Sequence, residues 1–302
     1  MGEEGSKTHS RDLASAPGRS TFVSQREFWD QEAAKYASGV EEARYGRFLA
    51  LYEESCWPYI EAVLPASREA TILEAGCGTG RWVTRLAPLG YRVVLSDLSA
   101  EMIRRAREKC ERLGLEDGVI GYHVLDLCDM HTFSNANFDL VVALGGPLSL
   151  CQDAKKAVAE LQRVTKPGGR VICDGANRYR TALSLVRQNS FDQLQSLLET
   201  GQFSRPDGLI DLRFKPRELA ELFQTHGFDI LHLATVCPFF DYLPKEEQIR
   251  ALDDDQIFDL MLDVGRRYAE DVCMMALGGR LLIVARKRGG GGCRPMTSCL
   301  LS

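Results

Sequence analysis

Ile72-Leu73-Glu74-Ala75-Gly76-Cys77-Gly78-Thr79-Gly80 is the stretch that decides the fold. A short apolar run carries an acid near its end and opens into three glycines at alternate positions. Arg81 to Leu86 then begins a helix. A strand that turns this sharply into a helix needs residues without a Cβ, because the turn demands backbone angles that glycine reaches cheaply. Missing side chains also let a ligand lie against the backbone. A dinucleotide site wants G-x-G-x-x-G with a pyrophosphate over the helix N-terminus. Here the glycines run G-x-G-x-G, and the Glu74 carboxylate ahead of them repels a pyrophosphate and attracts an ammonium. The expected ligand is therefore a nucleoside carrying an amino acid.

The segments that follow fit such a ligand. Tyr91 to Asp97 is an apolar, β-branched strand ending in an acid, placed to accept both ribose hydroxyls. Tyr122 to Leu127 also ends in an acid, Asp126, suited to the exocyclic amine of an adenine. Phe138 to Gly145 reads as a buried strand whose end faces the ligand's other side. Lys166-Pro167-Gly168-Gly169-Arg170 is a turn into a fifth strand. Helical segments lie between, at Ser99 to Leu113 and Asp153 to Thr165. That alternation predicts a parallel sheet with helices on both faces.

"LEAGCGTG", "DLS" and "KPGGR", in this order and spacing, resemble the successive motifs of class I S-adenosylmethionine-dependent methyltransferases. They most resemble the small-molecule branch that includes quinone-biosynthesis and natural-product enzymes. The resemblance covers about residues 25–288. It implies an α/β, Rossmann-like, seven-stranded and mostly parallel sheet with the last strand antiparallel. It also implies S-adenosyl-L-methionine as cofactor and a small-molecule methyl acceptor. By the same resemblance Glu74, Gly76, Gly78 and Gly80 line the methionine half of the cofactor, with Cys77 a small filler in that turn. Asp97 holds the ribose, and Leu98 and Met102 pack near the adenine. Asp126 and Leu127 contact the adenine edge, and Leu144 and Gly145 flank the sulfonium. Two N-terminal helices, read at Gln25 to Tyr36 and Glu41 to Glu61, belong to the kind that closes over the cofactor, with Tyr36, Arg44 and Tyr45 as lid contacts. Pro58 is expected to kink or divide the second helix.

Composition narrows the function. A chain of 302 residues, 45% apolar and 26% charged, can bury a full core. A net charge of −5 gives no electrostatic footprint for nucleic acid, so none is expected as a partner. No apolar run reaches the length of a membrane span. None of the ten cysteines shows C-x-x-C spacing, which predicts reduced thiols, no metal and a cytoplasmic protein. The expected organisation is a disordered segment over 1–22, one domain over 23–288 with cap insertions at about 179–210 and 239–277, and a glycine-rich tail over 289–302. The termini carry a separate signal. Met1-Gly2-Glu3-Glu4-Gly5-Ser6 fits a myristoylation pattern and Cys299-Leu300-Leu301-Ser302 fits a prenylation box. Prenylation at Cys299 is the one route by which the sequence suggests membrane association.

Methyl transfer from a sulfonium is an in-line displacement on an activated carbon, so alignment and exclusion of water supply most of the acceleration. A general base is required only where the acceptor must lose a proton. The sequence displays no decisive catalytic residue. Its candidates are His131 after the Asp126 loop, Tyr179 after the fifth strand, and Asp241 in the later insertion. Gly145-Gly146-Pro147-Leu148 lacks the Asn/Asp-Pro-Pro-aromatic turn that grips a planar amine, which argues against RNA-base or protein methylation. A thiol or metalloid acceptor, with Cys128, Cys151, Cys173 and Cys237 near the strand ends, is a further alternative. Oligomeric state is not legible.

Overall fold

The computed structural model describes residues 24–41, 43–205 and 207–289. Two helices, α1 (Gln25–Glu41) and α2 (Ala43–Glu61), precede β1 (Thr71–Ala75), α3 (Val83–Leu86), β2 (Arg92–Asp97), α4 (Ala100–Leu113), β3 (Val119–Val124) and β4 (Phe138–Ala143). Next come α5 (Pro147–Leu150), α6 (Ala154–Val164), β5 (Thr165–Asn177), α7 (Arg178–Arg187), α8 (Leu194–Thr200), β6 (Gln202–Ser204) and β7 (Ile210–Phe214). The chain continues through α9 (Pro216–Thr225), β8 (Phe228–Val236), α10 (Pro238–Tyr242), α11 (Lys245–Asp253), α12 (Asp255–Arg267) and β9 (Arg280–Lys287). The lipidation motifs, and nearly all of both terminal segments, lie outside the described residues.

Strands β3, β2, β1, β4 and β5 are neighbours in that order, all parallel. β9 runs antiparallel to both β5 and β8. These strands are the seven that the resemblance implies. The described sheet nevertheless has nine strands, so the expected count is corrected. The register explains the surplus. β4 leaves the sheet at Ala143, opposite Cys173, while β5 runs on to Asn177. β7 pairs with Ala176 and Asn177 there and brings β6 as its hairpin partner. An insertion read as a helical cap thus also extends the sheet.

Successive strand residues point to opposite faces, and both faces are covered. Ile72, Val93, Leu95, Leu140 and Val142 pack with Ile60, Trp82 and Leu86 on one side. Leu73, Val94, Val141 and Val171 pack with Leu161 and Phe223 on the other. Burial on both faces is why these strands read as continuous apolar runs. Helix α4 begins as its sequence signals: the Ser99 hydroxyl accepts from the Met102 N–H at 3.1 Å, and Gly114 ends the helix in the left-handed region at φ 65°.

Pro58 does not divide α2, which is a single helix from Ala43 to Glu61. Proline removes the N–H that would bond the carbonyl four residues back. That carbonyl, on Glu54, instead accepts from Arg266 of α12, from Nε at 3.0 Å and from Nη2 at 2.5 Å. A side chain from the later insertion supplies what the proline withholds.

Candidate cofactor and acceptor site

Two carboxylates fix the glycine turn. The Glu74 carboxylate accepts from the N–H groups of Arg81 at 3.0 Å, Trp82 at 3.0 Å and Val83 at 2.9 Å, and so caps α3. Burial pushes its carboxyl up to about 7 against the pull of those three donors. Asp97, at the end of β2, accepts from Gly78 N–H at 2.8 Å and Ser99 N–H at 2.9 Å. Burial raises its pKa as well, with those donors opposing. Gly76 has φ 66°, and a Cβ there would lie 2.5 Å from the Pro147 side chain. Gly78 has φ 53° and borders open space, with Tyr36 Cε1 at 3.9 Å from a hypothetical Cβ.

A cleft of about 910 Å³, mouth included, opens over this turn. Its floor includes Gly76, Cys77, Gly78 and Asp97, and one wall includes Leu98, Met102, Asp126 and Leu127. Leu144 and Gly145 line the opposite side, and Tyr36 closes it from α1. These expected residues therefore converge. Glu74 and Gly80, expected beside them, do not line the cleft. Glu74 is 1% exposed and turned onto the α3 N-terminus, where its hydrogen bonds shape the turn. Gly80 faces the core, where a Cβ would meet Val83 at 3.1 Å and Ala106 at 3.5 Å. Arg44 lies in the first turn of α2, and its side chain is outside what the structure describes.

Several lining residues escaped the sequence reading. Arg81 projects into the cleft, where its Nη2 donates to the Tyr36 hydroxyl at 2.7 Å. Gln25 and Trp29 of α1 also line it, as do Leu150 and Cys151 after β4. Trp29 packs edge-on to Tyr36, with ring centroids 6.2 Å apart. The aromatic spacing of α1 was a usable signal for Trp29, whereas nothing local marks Arg81 as more than a helix residue.

A second cavity, of about 540 Å³, is lined by Phe48, Tyr52, Arg213, Asp241 and Arg280 among others. One buried acid ties the two cavities together. Asp174 of β5 accepts from Gly145 N–H at 3.1 Å, Gly146 N–H at 2.7 Å and the Tyr52 hydroxyl at 2.7 Å. The Arg280 guanidinium stands 3.4 Å from the same carboxylate. Tyr52 has Arg81 5.4 Å from its ring on the cleft side and Arg280 at 5.9 Å. The wall between the cavities is therefore Tyr52, Asp174, Arg280 and the Gly145-Gly146 turn.

The three catalytic candidates separate. His131 is exposed, paired with Asp129 at 3.2 Å, and lines neither cavity. Tyr179 is 39% exposed and also lies away from both. Each sits just beyond a strand end, exposed to solvent, and neither joins the cavities. Asp241 does line the second cavity. Burial pushes it up to about 6, while Gly279 N–H, at 2.5 Å from Oδ2, and the charges of Arg180 and Arg280 pull it down. Such a carboxyl keeps its proton in the fold at pH values where the unfolded chain has released it. Its stabilising contribution is complete below pH 3.8 and disappears as pH rises through about 6. Relative to Asp241→Asn, the protein is expected to lose on the order of 2 kcal/mol between pH 4 and pH 7, measured by urea unfolding at each pH. A difference that stays constant with pH would refute this.

Residues 72–169 match a family model described as a methyltransferase domain. The chain is 25% identical over 264 residues to tRNA 5-carboxymethoxyuridine methyltransferase of Escherichia coli K12, over 86% of this chain and 95% of that protein. It is 28% identical over 232 residues to malonyl-[acyl-carrier protein] O-methyltransferase of Pectobacterium atrosepticum, over 75% and 80% of the two chains. A solved S-adenosylmethionine-dependent methyltransferase from Methanosarcina mazei shares the fold, with TM-score 0.54 at 22% identity over 77% of this chain and 98% of that one. The glycine turn with acids beyond neighbouring strands, the sheet order and these likenesses agree: residues 72–169 match a methyltransferase domain, and the chain has the fold of the class I S-adenosylmethionine-dependent methyltransferases.

Proposed function

We propose that the chain transfers the methyl group of S-adenosylmethionine to a small-molecule acceptor held in the second cavity. The observation that carries the reading is that Asp174 joins Gly145, which lines the cofactor cleft, to Tyr52 and Arg280, which line the second cavity. The cleft residues fit the cofactor. Gly76 and Gly78 leave the backbone bare, which admits a ligand in close contact. Asp97 offers the ribose its remaining acceptor sites, and Asp126 does the same for the adenine amine. Leu98, Met102 and Leu127 form the apolar slot for the ring. Arg81 supplies a cation for the carboxylate of the methionine half, oriented by the Tyr36 hydroxyl. When bound, the cofactor supplies an activated methyl carbon. The chain's own work is to align the acceptor across the Gly145-Gly146 wall and to exclude water with α1 and α2.

The reading predicts that calorimetry detects both S-adenosylmethionine and its demethylated product binding to the full chain. It also predicts that a methyl-labelled donor labels a low-molecular-mass fraction of a cell extract. Absence of both donor and product binding would end the assignment. A second reading, a nucleoside carried on tRNA, is favoured by the match along 95% of the tRNA-modifying relative. Ribonuclease treatment separates the two: label that becomes soluble only after digestion belongs to RNA. A carrier-bound acceptor is consistent with both named relatives, whose carriers differ, so the carrier is not what the common fold prescribes.

A further inference from the structure

The second cavity has charges that its protein partners do not saturate. Arg280 has 36% of its side chain accessible, whereas the nearby Asp174 is fully sealed. Asp174 already accepts from Tyr52, Gly145 and Gly146, and its approach to Arg280 is long, at 3.4 Å. A guanidinium has five N–H donors in a fixed fork. Arg213 enters the same cavity from β7. One nitrogen of it, Nη2, donates to Asp211 at 3.1 Å, while Nε is buried with no hydrogen-bond partner among the described residues. A buried donor without a partner is rare in folded proteins, and a bound water or anion is one way to satisfy it. The charge of Arg280 also acts on Arg213, whose pKa is lowered first by burial and then by Arg280 and Arg205, against the pull of Asp211. An anion between the two guanidinium groups would relieve that repulsion.

Resting on the methyltransferase reading above, we infer that the acceptor is a carboxylate, gripped by Arg280 and Arg213, and that the methyl group goes to one of its oxygens. The position suits the chemistry. The Arg280 guanidinium lies against the Gly145-Gly146 turn, where a Cβ on Gly146 would meet Nη1, so an anion held there borders the cofactor cleft. A carboxylate oxygen forms the new O–CH₃ bond with its own lone pair as the S–CH₃ bond breaks, the bonding pair staying on sulfur. The negative oxygen and positive sulfur become a neutral ester and a neutral thioether, and no proton has to leave. A base is then unnecessary, which accounts for the imidazoles of His131 and His123 both lying outside the two cavities. Asp241 is the opposing charge on the lining. Asp174 and Asp211 pair with the two guanidinium groups from outside the lining, so the charges that face the cavity itself are Arg213, Arg280 and Asp241.

The test uses the full chain saturated with S-adenosylhomocysteine and titrated with malonate as probe, with dimethyl malonate as neutral control. Malonate is expected to bind and the diester not to. Arg280→Gln should weaken malonate by about tenfold or more while shifting S-adenosylhomocysteine affinity less than about threefold. Arg213→Gln, which leaves the Asp174 cluster untouched, is expected to weaken malonate in the same direction. Independently, label transferred from a tritiated methyl donor should be released by mild base as volatile methanol, as esters release it and ethers, amines and thioethers do not. Equal binding of malonate and its diester, or a base-stable label, would overturn the carboxylate assignment while leaving methyl transfer standing. S-adenosylhomocysteine affinity is measured in a separate titration of the unliganded chain and each variant, so a failure of the underlying reading is recognised separately.

Discussion

Replacing Asp97 with alanine is expected to weaken S-adenosylhomocysteine binding at least about a hundredfold, a loss of roughly 2.7 kcal/mol. The carboxylate stands at the end of β2 on the floor of the cleft and also orders the turn, through Gly78 N–H at 2.8 Å and Ser99 N–H at 2.9 Å. Alanine removes the ligand's acceptor and frees two backbone donors at once. Hydrogen bonds to a charged group contribute about 1.5–3 kcal/mol each, so the loss of the ligand's share alone reaches the expected size. Asp97→Asn keeps one oxygen and the side-chain volume, and is expected to fall between wild type and alanine. Calorimetry reads the affinities, and circular dichroism confirms that each variant is folded. A folded alanine variant whose affinity stays within about threefold of wild type would remove Asp97 from the binding account.

The comparison of sequence with structure shows which physics is local. Asp97 and Asp126 were legible because an acid that ends or closely follows an apolar strand has no packing reason to be there; Asp97 ends β2, Asp126 lies two residues past β3, and both line the cleft. Gly76 and Gly78 were legible because only a bare backbone makes the turn. Glu74 was identified, yet its partner was not, since an ammonium and the start of a helix both attract a carboxylate. Only the path of Arg81 to Val83 shows that the helix occupies it. Asp174 lay inside a run that read as strand core, and its four partners come from α2, the β4 end and β9. Arg213 and Arg280 are likewise brought together only by the β5 register, with Ala176 facing both. Pro58 does not divide α2, because a distant donor, Arg266, 208 residues along the chain, satisfies the carbonyl that the proline leaves free. Pattern finds the turns and strand ends, whereas the acceptor side is built by long-range pairing.

That long-range pairing makes Asp174 the residue whose loss should be felt most widely. Its side chain is fully buried, and it is the acceptor for Tyr52, Gly145 and Gly146 beside the Arg280 charge. Asparagine can still accept from the two glycine N–H groups with its oxygen. Its amide nitrogen then faces Tyr52 and Arg280 as a donor, so the tyrosine hydroxyl must reorient and the guanidinium loses its counter-charge. Breaking a buried ion pair from one side costs about 3–5 kcal/mol, because the remaining charge is left uncompensated. Arg280 is partly accessible, so the lower end, about 3 kcal/mol, is expected for Asp174→Asn in urea unfolding, with methyl transfer falling at least about a hundredfold as the Gly145-Gly146 wall loosens. The informative comparison is the double variant Asp174→Asn with Arg280→Gln. If the cost arises from the stranded guanidinium, removing it as well should recover part of the lost stability, giving a coupling of about 1 kcal/mol or more. Activity should stay low, since the acceptor side then lacks a cation that the carboxylate assignment requires. Strictly additive losses would mean that Asp174 acts on the glycine turn alone, and that Arg280 is positioned by something other than this carboxylate.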